Sequence, residues 1–116
     1  MCGLFGMAGK GISAKHLDAL GDLALISQLR GTDSFGVLQA MTYTDKYDVI
    51  RYDADANYAM AVDKDLFKGL TVGVFMGHVR AATVGALNED NIHPFDFGDF
   101  VGAHNGTLKC QKYLPD

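Results

Sequence analysis

The hydrophobic positions of this chain change period more than once. Residues 2–8 (CGLFGMA) form a short, mostly apolar run that reads as a buried strand. Behind Ser13, a plausible N-cap, Leu17, Leu20, Leu23, Ala24 and Ile26 recur at helical spacing. Gly31 is well placed as a left-handed closing residue, so the pattern predicts a helix over 14–29. Residues 36–43 and 47–53 are rich in β-branched and aromatic types and flank Thr44-Asp45-Lys46, which predicts a hairpin. Residues 62–69 suit a short helical turn, and 70–79 (LTVGVFMGHV) a central apolar strand. Residues 82–96 read as loop, with Asn88, Asn91 and Pro94 as turn signals. A last strand over 98–104 leads into an Asn105-Gly106 turn. The segment 45–65 alternates acids, bases and tyrosines and reads as a solvent face. One helix followed by several strands predicts an α+β layer structure rather than alternating βαβ units.

Composition narrows the possible functions. A length of 116 residues suits one domain, 1–116, with a single core. Ten Lys+Arg against 14 Asp+Glu leave a net charge of −4. That balance argues against nucleic acid or an anionic membrane as the main partner. No apolar run approaches the ~20 residues of a membrane helix, and no basic-then-apolar leader opens the chain. Two cysteines make no disulfide framework, so a reducing cytoplasm is the expected setting. Glycine is over-represented, at 14 residues, several of them beside Cys2, Arg30, His78 and Asn105, with Gly77 three residues before Arg80. Glycine there favours close approach of backbone to a ligand.

Four stretches hold candidate chemistry. Removal of Met1 would leave Cys2 with a thiol and a free α-amine whose reference pKa is near ~7.7–8.0, able to activate its own side chain. Taken alone, Cys2 reads more readily as a small apolar residue of the first strand. The Asn105 amide and the Gly106 N–H are the donor types that hold a tetrahedral oxyanion, although an Asn-Gly pair is also an ordinary turn. Arg80, at a strand end among small neighbours, suits a carboxylate ligand or a structural acid equally. Arg30, before Gly31-Thr32-Asp33-Ser34, is favoured by the helix dipole at a C-terminus. His16, His78, His93 and His104 lack close zinc-ligand spacing, so neither a metal nor another cofactor is expected. Cys110 reads as an apolar packing residue.

Together the stretches MCGLFG, RGTDSFG, GHVRAATVG, NIHPF and GAHNGT, in that order, resemble the class II glutamine amidotransferase domain of the N-terminal-nucleophile hydrolases. The resemblance runs from residue 2 to residue 107. It implies an αββα sandwich of antiparallel sheets and helices, present here in part. It implies L-glutamine as substrate and hydrolysis of its side-chain amide to glutamate and ammonia. Cys2 resembles the nucleophile, with its own α-amine as base, and Asn105 and Gly106 the oxyanion hole. Arg80 and Thr83 resemble the pocket for the α-carboxylate, and His93 lies in the loop that closes over it. Arg30, Asp33, Ser34, His78 and His104 resemble supporting residues.

The family domain is longer than this chain, and its later half supplies an aspartate for the substrate α-amino group that has no counterpart here. The position after Arg80, often tryptophan in the family, is Ala81. Half a sandwich exposes a sheet face or a strand edge. The expectation is therefore a truncated domain, an assembly with itself or a second polypeptide, or a minimised relative. The alternative to turnover is a non-catalytic glutamine-binding or regulatory module, or an inactive fragment.

Overall fold

The computed structural model describes residues 2–67, 72–81 and 92–105. Strand β1 (Gly3–Ala8) is followed by helix α1 (Ala14–Ser27) and a 3-10 turn, Gln28–Arg30. Then come β2 (Ser34–Met41), β3 (Tyr47–Tyr52), helix α2 (Ala56–Val62) and β4 (Val72–Arg80). The short strands β5 (Phe95–Asp96) and β6 (Val101–Gly102) form a separate antiparallel pair. The main sheet has the order β1-β4-β2-β3, antiparallel at each pairing, so β4 is central as its apolar run predicts. The class is α+β with antiparallel sheets, consistent with part of a sandwich. No helix among the described residues is long and apolar enough to cross a membrane.

Alternation along the strands sorts the sheet into two faces. Phe5, Phe35, Val37 and Phe75 sit at odd positions and join Leu17, Leu20, Ala24, Ala56 and Ala59 in one core under the two helices. Phe67 turns in from the end of the segment after α2. Its ring meets Phe5, Phe35 and Phe75 edge-on at 6.3, 6.5 and 6.0 Å. Phe5 lies across Gly77, whose missing Cβ leaves the room its ring occupies. The even positions Leu4, Gly6, Ser34, Gly36, His78 and Arg80 share the opposite face. The 92–102 segment lies over part of that face: Tyr47 donates from its hydroxyl to the Asp96 carboxylate at 2.9 Å. Leu38, Ala40, Phe100 and Val101 line one cavity between the two layers.

The elements depart from expectation in five places. The helix keeps its position, but its buried stripe is Leu17, Leu20, Gly21 and Ala24. Leu23 and Ile26 are 40% and 63% exposed, because steps of about 100° per residue carry them off that stripe. Gly31 is extended, with φ 179°, not left-handed. It is glycine because a Cβ there would strike the backbone of Arg80 and Ala81. Within 45–65, the expected solvent face instead forms α2, with Ala56 and Ala59 fully buried. Asp55 caps that helix by accepting from the Tyr58 amide at 2.8 Å. The short helix thus falls at 56–62 rather than within 62–69, where only a turn remains. The expected strand over 98–104 shortens to Val101–Gly102.

Candidate active site

The register of the sheet brings the distant sequence stretches to one end. Gly3 pairs with Val79, which pairs with Phe35 on its other side, and Arg80 pairs with Ser34. One residue further along β1, Cys2 takes its place in the row of Arg80 and Ser34. The next row on the same face is Leu4, His78 and Gly36. Residues 2, 34 and 80 thus converge because three strands begin or end together, a relation that no sequence spacing contains.

Cys2 is half-buried, and its thiol faces the Ala81 carbonyl with Sγ and O 3.6 Å apart. The Arg30 side chain, at the end of the helical layer, donates from Nε to the Cys2 carbonyl at 2.8 Å. This charge-assisted bond fixes the backbone that presents the thiol. The Asp33 amide donates to the Arg80 carbonyl at 2.9 Å, tying the 31–34 turn to the end of β4. Arg80 is 6% exposed and Ser34 is 3% exposed. The Ser34 hydroxyl is buried without a hydrogen-bond partner among the described residues. A buried hydroxyl left unpaired costs about 1–3 kcal/mol, which makes its place beside Arg80 informative.

A second group of residues stands one row away. His78 and His93 stack face to face, their centroids 3.9 Å apart and their planes within 11°. The His104 amide donates to His93 Nδ1 at 3.0 Å, and His78 Nε2 meets the His104 carbonyl at 3.2 Å. The His93-Pro94 peptide is cis, and a Cβ on Gly36 would strike the His93 carbonyl. The two hydrogen bonds settle the ring protons: Nδ1 of His93 accepts and Nε2 of His78 donates. Burial, and after it the neighbouring His93, pushes the His78 pKa down to about 4. Burial, then the charges of Arg80 and His104, does the same to His93, also to about 4.

These depressed values make acid stability a measurable property of the site. In the unfolded chain each ring returns to about 6.5 and binds its proton first as the pH falls. The stabilisation from neutral rings is complete above 6.5 and drains away as the pH drops through that value towards 4. By about pH 5 the loss from His78 alone is about 2 kcal/mol, with a smaller share from His93, which solvent partly screens. Urea melts at neutral pH and at about pH 5 are expected to show a lower midpoint in acid, and the drop is expected to shrink in a His78→Phe background. A midpoint unchanged between the two conditions contradicts this.

Of the expected site residues, Cys2, Arg30, Asp33, Ser34 and Arg80 lie together at the sheet end. His78, His93 and His104 form the adjoining cluster, and Asn105 follows it, exposed, at the end of the described segment. Thr83, Gly106 and Cys110 lie outside the described residues. The sequence reading missed the Ala81 carbonyl, the stacking of His78 on His93 and the close approaches at Gly31 and Gly36. Even-numbered spacing between Cys2 and Leu4, and between His78 and Arg80, carried part of that signal.

Sequence comparison bears on what this end of the sheet is. No protein-family model and no solved structure matches the chain. Curated relatives do match. Glutamine--fructose-6-phosphate aminotransferase [isomerizing] of Listeria innocua is 34% identical over 123 residues, covering 100% of this chain and 18% of the relative. The protein of that name from Sulfolobus acidocaldarius is 32% identical, covering 98% of this chain and 19% of its own length. That from Caulobacter vibrioides is 34% identical, covering 94% and 17%. The N-terminal domain of these enzymes is a class II glutamine amidotransferase. This chain belongs to that family. It spans under one fifth of the length of these relatives. Register puts a half-buried thiol, Cys2, in the same row as the buried Arg80 and Ser34.

Proposed function

We propose that this chain performs the glutaminase half-reaction, converting L-glutamine to glutamate and ammonia. The observation that carries the reading is the convergence of Cys2, Arg80 and Ser34 at one sheet end, with the segment that leads to Asn105 fastened one row away. In this reading, loss of Met1 exposes the Cys2 α-amine as the local base. The amine takes the thiol proton, and Sγ attacks the side-chain amide carbon of glutamine. The C–S bond forms as the carbonyl becomes an oxyanion. The Asn105 side chain and the Gly106 N–H receive that charge. The protonated amine then delivers its proton to the departing nitrogen, the C–N bond breaks, and ammonia leaves a γ-glutamyl thioester. Water attacks the thioester with the amine again as base, releasing glutamate and restoring the thiol. Arg80 offers its fork to the substrate α-carboxylate, a match in charge and planarity. Ser34 supplies a hydroxyl already stripped of water beside it. Thr83 belongs to the same pocket in this reading, His93 to the segment that closes over it, with Arg30, Asp33, His78 and His104 in support.

A second reading is a glutamine-binding or regulatory module that pairs with another polypeptide without turnover. The partly exposed apolar side chains of the sheet face that bears the site favour it: Leu4 is 45% and Val74 40% exposed. Intact mass measurement before and after treatment with a glutamine-mimicking electrophile separates the two. Turnover chemistry is expected to give loss of the Met1 mass and one adduct mapped to Cys2. Retained Met1, or no adduct on folded protein, sinks the enzymatic reading in favour of the module.

A further inference from the structure

We infer that His78 and His93 are positioning residues that clamp the backbone of His104 and thereby set where Asn105 presents its side chain; the inference rests on the glutaminase reading above. The clamp has two arms from different parts of the chain. His78, on the central strand, holds the His104 carbonyl through Nε2 at 3.2 Å. His93, on the segment over the sheet, accepts the His104 amide on Nδ1 at 3.0 Å. The backbone N–H and C=O of residue 104 are thus both held, and the next residue is Asn105. The arms brace each other through their stacked rings, and Phe95 leans on the outer face of His93 with centroids 4.2 Å apart. Beneath them Gly36 leaves just the room that the His93 carbonyl fills.

The neutral state of the rings is what the clamp requires. A protonated His93 has no lone pair left on Nδ1 to accept the His104 amide. Arg80 and His104 face the pair and disfavour a proton on either ring. The same facts speak against acid–base work by these histidines. Their nitrogens facing residue 104 are occupied by its backbone, and His78 is 1% exposed. An oxyanion donor acts only if it is aimed before the reaction begins, so a clamp on the preceding residue acts on the transition state more than on substrate binding.

The test uses isosteric variants of the full chain. Asparagine places its amide oxygen close to the position of a histidine Nδ1, whereas phenylalanine keeps the stacked ring and offers no acceptor. His93→Phe is expected to lower kcat for glutamine hydrolysis about 10- to 100-fold, with KM changed less than about threefold. His93→Asn is expected to recover most of that loss. At the other arm, glutamine keeps the donor position of Nε2, so His78→Gln is expected to outperform His78→Phe. Amide exchange at residue 104 is expected to follow the same order, which a general loss of stability would not produce. If His93→Phe folds and turns over like wild type, or if Asn and Phe are equally impaired, the clamp is wrong while the glutaminase reading stands. If the wild-type protein itself makes no glutamate, that reading fails first and takes the positioning role with it.

Discussion

Replacing Cys2 by alanine is expected to abolish glutamate release, by about four to six orders of magnitude, while the fold stays intact. The reaction proposed here runs through a C–S bond, so a replacement nucleophile would have to stand where the thiol stands. Ser34 is the closest candidate by register, but it sits two strands away across Arg80. Loss of the thiol forfeits a contact of 3.6 Å to the Ala81 carbonyl, a weak sulfur interaction, so the stability change is expected to be about 1 kcal/mol or less. The Arg30 bond goes to the Cys2 backbone carbonyl and survives the substitution. Glutamine binding measured by calorimetry is therefore expected to persist in Cys2→Ala, because the α-carboxylate partner proposed here is Arg80. Residual turnover within tenfold of wild type means that another group is the nucleophile. A variant that loses binding together with turnover means that the thiol also shapes the substrate pocket.

The largest effect on stability is expected from Gly36→Ala. A methyl group there points from β2 into the backbone of the segment crossing over it and meets the His93 carbonyl and Pro94 Cδ. Neither can turn aside as a flexible side-chain end would, and Pro94 is itself fully buried. The segment must lift from the sheet, and His93 lifts with it, away from the His78 ring. Overpacking of this kind costs about 3 kcal/mol or more, and it dismantles the clamp on residue 104 in the same movement. Gly9→Ala is the natural control, since nothing lies within 4 Å of a Cβ there. Urea denaturation of the two variants is expected to separate them clearly, with Gly9→Ala within about 0.5 kcal/mol of wild type. Equal midpoints remove the argument that glycine at 36 answers to the crossing segment.

Much of the framework is legible in the sequence because it depends on local period. The first strand, the helix after Ser13, the hairpin and the apolar central strand each follow from a repeat of two or of about 3.6 along the chain. The interior of 45–65 was hidden because α2 is seven residues long and buries only two alanines, too little apolar surface to stand out. Gly31 misled because a glycine just after a helix has two common uses. The left-handed cap is local, while the close approach to Arg80 depends on a strand fifty residues away. The same limit applies to Leu23 and Ile26, whose apolarity says they belong on the helix but not which way they face.

The residue types of the candidate site were all visible beforehand: a cysteine at position 2, an arginine closing an apolar strand, an asparagine beside a glycine, three histidines at 78, 93 and 104. Their chemistry is a property of side chains, and a sequence states side chains outright. Their arrangement was not visible. Strand order β1-β4-β2-β3 places the first and second strands of the chain on either side of the fourth. That order brings Cys2, Ser34 and Arg80 into one row, and the segment crossing over Gly36 stacks His93 on His78. Pairing between strands far apart in the chain is decided by which faces bury together and by which glycines permit close contact. The sequence by itself thus determined which groups exist and which local elements carry them. The tertiary structure decided which of those groups share a face, because side-chain neighbours across a sheet are set by register, and register is fixed only when the whole core closes.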